Sequence, residues 1–206
     1  MSLRIFIYGE DGFTNSTLAA SLSMLGFQVI GETENQNIAD NMISFLVPDV
    51  AIFHVDIERV SSITTAKSIR KRFPEMGMVL VTKTEDLRLL GIQINELPIG
   101  ISVVQIAKHG DLDALKEKIE SAPHVVNNRN KIGKHKFLTD SQIETIRFLA
   151  EGDANSEIAK KRFVSEKSVE QMLARIASEL GIIFDRHQNS RIKILKTYYQ
   201  LINGRK

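Results

Sequence analysis

Two hydrophobic periodicities alternate along the first 122 residues, and no other feature of the chain restricts its fold as strongly. Short apolar runs rich in β-branched residues occur at Leu3–Tyr8, Phe27–Ile30, Val50–Phe53, Met78–Val81 and Ile101–Ile106. Runs of this length without polar alternation suit strands buried on both faces. Between them, helices are expected over Asn15–Leu25, Asn37–Leu46, Ser61–Phe73, Glu85–Ile94 and Asp111–Ser121, with Asn35 and Asp111 as N-caps. In the first of these, Leu18, Leu22 and Leu25 fall at helical spacing. Strand then helix, five times over, predicts an α/β domain built on a five-stranded, doubly wound parallel sheet with helices on both faces. Such a sheet gathers its chemistry outside the C-terminal ends of its strands.

From His124 to Lys136 (HVVNNRNKIGKHK) neither periodicity continues. A polar, basic stretch of this kind is expected to link domains. The organisation is therefore a sheet domain over residues 1–122, a linker over 123–136 and a small all-α, four-helix domain over 137–206. Charge divides at the same place. Residues 1–124 carry 11 basic and 16 acidic residues, a net charge of −5; the rest carry 16 and 9, a net charge of +7, for +2 overall. A basic second domain suits a polyanionic partner. Cys is absent, which excludes disulfides, thiolate metal sites and a Cys nucleophile, and fits a cytoplasmic protein. No apolar run approaches the roughly 20 residues that span a bilayer, and the N-terminus lacks a signal-peptide pattern, so no membrane partner is expected.

In the basic domain, Leu138-Thr139 opens a helix with Thr139 or Asp140 as cap, and Ile143, Ile146, Phe148, Leu149 and Ala150 form its apolar side. Gly152 suits the left-handed residue that ends it. A short helix from Asn155 to Phe163, a tight turn at Val164-Ser165-Glu166 and a helix from Lys167 to Leu180 follow, the last with Ser165 as cap and Val169, Leu173, Ile176 and Leu180 inward. Two helices joined by a tight turn make a compact unit whose second helix is sized to enter a major groove.

The run Leu138-Thr139, Ile146, Leu149-Ala150-Glu151-Gly152, Asn155-Ser156-Glu157-Ile158-Ala159, Val164 to Glu170, Ile176 and Glu179-Leu180-Gly181 resembles the LuxR-type helix-turn-helix of NarL/FixJ-type response regulators over roughly 45 residues. The resemblance implies a transcription regulator that binds double-stranded DNA, as a homodimer, with RNA polymerase or a sensor as further possible partners. On this basis Lys167, Ser168, Glu170, Gln171, Ala174 and Arg175 are expected to face DNA, with Lys160 and Lys161 beside them, and Arg162 among the supporting cations. This chain departs from the family in having Glu170 where Lys is usual and Met172 where His is usual. Base reading survives that change chemically, since Glu170 can accept from cytosine and Gln171 can pair with adenine. Past Gly181 the family has a fourth helix that often pairs subunits. Here Arg191–Asn203 supplies Ile192, Leu195, Tyr198, Tyr199 and Ile202, expected mostly to pack on its own domain, with Tyr198 or Tyr199 as a dimer contact.

The first domain resembles the receiver that precedes this helix-turn-helix. Receivers set an acidic pair after strand one, a phosphoacceptor Asp after strand three, Thr or Ser after strand four and Lys after strand five. The resemblance assigns these roles to Glu10 and Asp11, to Thr82 and to Lys108, although the stretch from Gly91 to Gly100 is longer than the family's. At the phosphoacceptor position, after Pro48-Asp49-Val50-Ala51-Ile52-Phe53, stands His54. Asp56 lies on the same side of an extended chain, but using it shortens the following loop by two residues, and Glu58 replaces the family's Pro. The expected domain is a receiver without its aspartyl-phosphate switch. No cofactor is expected, Mg²⁺ included, although Glu10, Asp11 and His54 are of types that can bind a metal. Neither a nucleophile–base pair nor a phosphate-cradling glycine loop points to an enzyme. The alternative function is a protein-interaction adaptor that no longer reads DNA.

Overall fold

The computed structural model describes residues 2–55, 61–84, 86–106, 112–126, 138–182 and 189–204. The chain divides into two units, one of Met1–Lys83 with Ile92–Ile132, the other of Thr84–Gly91 with Gly133–Lys206. Of the expectations above, Asp56, Lys108, the Asp111 cap and most of the linker lie outside the described residues.

In the first unit the elements run β1 (Arg4–Tyr8), α1 (Gly12–Met24), β2 (Gln28–Thr33), α2 (Gln36–Leu46), β3 (Val50–Val55), α3 (Ser61–Arg72), β4 (Gly77–Thr82), β5 (Ile101–Gln105) and α4 (Leu112–Ser121). The strands form one parallel sheet in the order β2-β1-β3-β4-β5. Every residue of β3 and β4 is buried, as the uninterrupted apolar runs require. Alternate residues serve opposite faces. Ile5, Ile7, Val50, Ile52, Val79 and Val81 join Leu18 and Leu22 of α1 and Leu115 and Ile119 of α4 in one cluster. Phe6, Phe53, Met78 and Leu80 are buried on the other parity, as are Ala39 and Ile43 of α2 and Ile63, Ala66 and Ile69 of α3. The strand order reverses between β1 and β3, which makes their C-terminal ends the switch point of the sheet.

One expected element is absent. In place of a helix over Glu85–Ile94 the chain makes two single 3₁₀ turns, Leu87–Leu90 and Ile94–Glu96. Asp86 caps the first turn and Gly91, at φ 81°, ends it. Leu87, Arg88, Leu89 and Leu90 are all buried. A segment enclosed on every side carries no amphipathic stripe, and its apolar residues here belong to the core of the second unit.

That unit holds α5 (Asp140–Ala150), α6 (Asn155–Arg162), α7 (Glu166–Glu179) and α8 (Ser190–Ile202) in addition to the Leu87–Leu90 turn. The Arg88 side chain is only 7% exposed. Its guanidinium donates to both carboxylate oxygens of Asp86, at 2.6 to 3.2 Å, to the Leu138 carbonyl at 3.0 Å and to Asp140 in the first turn of α5. These bonds hold its pKa above the ordinary arginine range, so Arg88 is a permanent cation. Tyr198 of α8 donates to the Leu89 carbonyl at 2.9 Å. Gly91 packs so closely against Arg147 that a Cβ there would lie 2.6 Å from the guanidinium.

Arg88→Ala leaves the poorly exposed Asp86 without its cation. Hydrogen bonds to charged groups contribute roughly 1.5–3 kcal/mol each way they are measured, and the second unit should lose about that much stability. Hydrogen exchange should show earlier opening of α5 and α8 with sheet amides unchanged; unaltered protection of α5 would contradict the assignment of this segment.

Candidate functional site

The helical unit presents one face built by local rules. Thr139 and Gln142 form a capping box at α5, with the Gln142 side chain accepting from Thr139 N at 2.7 Å. Gln142 also donates to Glu179 at 2.9 Å, tying the start of α5 to the end of α7. Gly152 takes the left-handed conformation expected of it, at φ 96°. Ser165 caps α7 by accepting from Ser168 N at 3.2 Å. Val169, Leu173, Ile176 and Ala177 are buried along one side of α7. On the other side Lys167, Ser168, Glu170, Gln171, Ala174 and Arg175 are all exposed, and Met172 is half-buried at the margin.

The basic residues of α6 divide in a way that spacing alone does not reveal. Arg162 bonds Thr145 at 2.5 Å, Glu144 at 3.2 Å and Ser141, which commits it to the seam with α5. Lys161 pairs with Asp153 and sits 4.8 Å from the centre of the Phe148 ring. Lys160 is exposed and pairs with Glu157 at 2.9 Å. Hydrogen bonding to these carboxylates holds both lysines above their ordinary pKa, so both are charged. Lys167 and Arg175 make no ion pair among the described residues. Of the cations expected to surround α7, Arg162 is therefore structural, while Lys160 and Lys161 are each paired with a carboxylate at the surface.

The stripe on α8 is shifted from its expected register. Ile194, Tyr198 and Ile202 are buried, whereas Ile192 is 63% exposed and Tyr199 46% exposed. Tyr198 faces inward to Leu89, which leaves Tyr199 of the two tyrosines at the surface. Arg191 donates to Asn155 at 3.0 Å and to the Asp153 carbonyl, fixing the start of α8 to the start of α6.

At the C-terminal ends of β1 and β3 the sheet unit gathers Glu10, Asp11 and His54, with Thr82 ending the neighbouring β4. Their polar groups already serve the fold. Asp11 is the N-cap of α1, accepting from Phe13 N at 3.2 Å, Thr14 N at 3.3 Å and the Thr14 hydroxyl. The Thr14 hydroxyl bond is the main cause that holds its carboxyl below the usual aspartate range. Glu10 accepts from Ser61, whose hydroxyl also lies 2.9 Å from that of Tyr8. His54 is 4% exposed, and its carbonyl accepts from Ser62 at 2.7 Å. Thr82 is buried. Mg²⁺ takes hard oxygen ligands in octahedral geometry, and an imidazole at position 54 with Asp11 engaged as a cap does not fit that set. Among the described residues no three His, Asp or Glu side chains are grouped to hold a metal ion.

Gly9 leaves room for the side chain that begins at position 54. It follows β1 beside His54, where a Cβ would lie 2.8 Å from that of His54 and 2.7 Å from the Asn15 side-chain oxygen. Asn15 in turn donates to the carbonyls of Gly9 at 2.6 Å and Thr33 at 3.1 Å, closing the junction of β1, β2 and α1.

Sequence reading missed three residues here. Arg88 and Arg162 look like ordinary surface cations in the sequence, because nothing local marks a buried partner. Phe163, expected as the last residue of α6, lies outside the helix in the left-handed conformation, at φ 55°, and is 96% exposed.

Comparison with known proteins bears on both units. No family model matches the chain. It is 23% identical over 193 residues to the transcriptional regulatory protein LiaR of Bacillus subtilis (strain 168), covering 87% of this chain and 92% of LiaR. It is 21% identical over 165 residues to the DNA-binding transcriptional activator EvgA of Escherichia coli (strain K12), covering 74% and 79%. Among solved structures, one of two RcsB dimers bound to two parallel DNAs matches with a TM-score of 0.56 at 20% identity, over 98% of this chain and 100% of that one. The homologues are response regulators of the NarL/FixJ and LuxR type, and the fold is theirs in both units.

Gly9→Ala tests the packing at the strand ends. Overpacking of this kind costs roughly 1–3 kcal/mol, and neither the His54 Cβ nor the bonded Asn15 amide can move aside freely. Urea unfolding of the sheet unit should show that loss; an unchanged midpoint would mean that His54 is not seated against Gly9.

Proposed function

We propose that this chain, whose homologues are transcription regulators and not enzymes, is itself a DNA-binding transcription regulator of the response-regulator type. The observation that carries the reading is α7, a capped helix with one side buried and Lys167, Ser168, Glu170, Gln171, Ala174 and Arg175 exposed along the other. The first turns of such a helix meet base edges in the major groove, while cations beside it grip phosphates. In this reading Gln171 and Glu170 discriminate bases, and Lys167, Arg175 and Lys160 supply charge. Glu170 faces the polyanion with like charge, which places more of the affinity on Lys167 and Arg175, neither of which has an ion pair among the described residues. A cytoplasmic location goes with this reading. No helix among the described residues is long and apolar enough to cross a membrane.

It binds as a homodimer. Ile192 is exposed on α8 outside the buried Ile194–Tyr198–Ile202 line, with the partly buried Leu195 and with Tyr199, whose hydroxyl reaches the Ala150 carbonyl, beside it, and this flank offers a second copy apolar surface. The sheet unit works without the aspartyl-phosphate switch. His54 cannot form an acyl phosphate, and Asp11 is engaged as a helix cap. In this role the strand ends form a fixed platform for a partner or a second subunit. The adaptor reading draws on Glu170 and on the internal pairing of Lys161 and Arg162, and predicts no salt-dependent binding to duplex DNA.

Two measurements test this function. Gln171→Ala should weaken binding to the preferred duplex by about 1–3 kcal/mol more than binding to random DNA, whereas Lys167→Ala should weaken both alike and lower the salt slope by about 1. If neither change affects binding while the domain stays folded, α7 is not the reading helix.

Acetyl phosphate with Mg²⁺ should leave the intact mass of the protein unchanged. A stoichiometric phosphorylated species that disappears in Asp56→Asn would assign the acceptor to Asp56 and restore the phosphoswitch.

A further inference from the structure

Between α6 and α7 the chain departs from what stability alone selects. Phe163 occupies the left-handed position that closes α6, at φ 55° and ψ 44°. Two bonds fix it there, from Phe163 N to the Lys160 carbonyl at 3.2 Å and from Val164 N to the Ala159 carbonyl at 3.0 Å. This is the hydrogen-bonding pattern of a helix end at which Gly is strongly favoured, because a Cβ crowds the following carbonyl. The chain sets a large aromatic residue in that position and leaves its ring 96% exposed, with Val164 beside it 42% exposed. Within the unit the ring gains no burial in return for the backbone strain. A local rule broken without internal compensation is a mark of a functional position.

The surroundings indicate what the ring meets. Phe163 lies two residues before Ser165, the cap of α7, and so at the end of that helix whose first turns carry Lys167, Ser168, Glu170 and Gln171. Lys160, paired with Glu157, precedes it and Lys167 follows it, both exposed, with Glu166 also exposed before Lys167. A ring beside the exposed first turn of α7 stands where a groove-entering helix meets its duplex, and duplex DNA offers apolar groups there through the thymine C5-methyl in the major groove. A protein pocket for an aromatic residue calls for an apolar surround, which this turn lacks beyond Val164.

We propose that Phe163 is a specificity-determining DNA contact, an apolar knob that seats on the C5-methyl group of a thymine at the edge of the groove entered by α7. The proposal rests on the DNA-binding reading of α7 and adds to it a residue outside the helix that selects a T·A pair beside the bases read by Gln171 and Glu170. The left-handed backbone has a role in this arrangement, since it turns the ring outward from the helical unit instead of back onto α6.

The test uses the full-length protein and the duplex recovered by binding-site selection. Phe163→Gly suits the left-handed backbone and should leave the melting temperature unchanged or raise it, while weakening the preferred duplex roughly tenfold with the salt slope unaltered. Replacing thymines one at a time by deoxyuridine, which lacks only the methyl group, should find one position at which wild-type binding weakens and Phe163→Gly binding does not. Full affinity in Phe163→Gly, with normal salt-dependent binding by the wild type, overturns this proposal alone and leaves the ring for a protein partner. A Phe163→Gly defect that is the same with thymine and deoxyuridine at every position also overturns it. Absence of salt-dependent duplex binding by the wild type removes the DNA-binding reading, and this contact with it.

Discussion

A parallel sheet cannot present either face to water without exposing the side chains of its central strands, and that constraint organises the first unit. Because β3 and β4 are buried throughout, helices must cover both faces, and the chain must cross over between successive strands. The crossovers bring α1 and α4 to one face and α2 and α3 to the other. They also reverse the strand order between β1 and β3, which places Glu10, Asp11 and His54 together. The crevice is thus a consequence of sheet burial, whatever residues occupy it.

What those residues do is decided by competition for their hydrogen bonds. A carboxylate that caps a helix has its acceptors in use, and drawing it toward a cation weakens the cap. Asp11 is in that position with Phe13 and Thr14, and Glu10 is joined through Ser61 to Tyr8. The same competition acts on the cations of the helical unit. Arg162 bonds three residues of α5, so its charge serves the packing of α6 on α5 instead of a ligand. Lys167 and Arg175 have no such bonds among the described residues, so cations on one surface differ in whether the packing of the unit holds them.

Arg88 gives the clearest case of a polar group serving the packing of remote segments. Its guanidinium reaches two carboxylates and a main-chain carbonyl, a geometry suited to the planar fork and not to a lysine ammonium. With Tyr198 bonded to the Leu89 carbonyl, Leu87–Leu90 become part of the core of the helical unit even though they stand between β4 and β5 in the chain. The first and second units are therefore not consecutive in sequence.

Much of this was legible in the sequence, for a physical reason. Strand and helix periodicities, the caps Asn35, Thr139 and Ser165, and the left-handed Gly152 are properties of short segments, and local sterics and hydrogen bonding suffice to specify them. The five strands, the inward line Val169–Leu173–Ile176 and the His at position 54 follow from such patterns. The helix expected over Glu85–Ile94 did not form, because Arg88 and Leu89 are bonded to residues 50 or more positions away in the chain, and periodicity carries no information about such partners. The register of α8 shifted for the same reason, since a second apolar line was available and only packing could choose Ile194, Tyr198 and Ile202. The sequence by itself determined which elements form and which residue types reach the strand ends and α7. Only the tertiary structure decided which charges are held internally, which aromatic ring is left in solvent, and where residues 84–91 belong, because each of those outcomes depends on groups brought together by folding and not by neighbourhood in the chain.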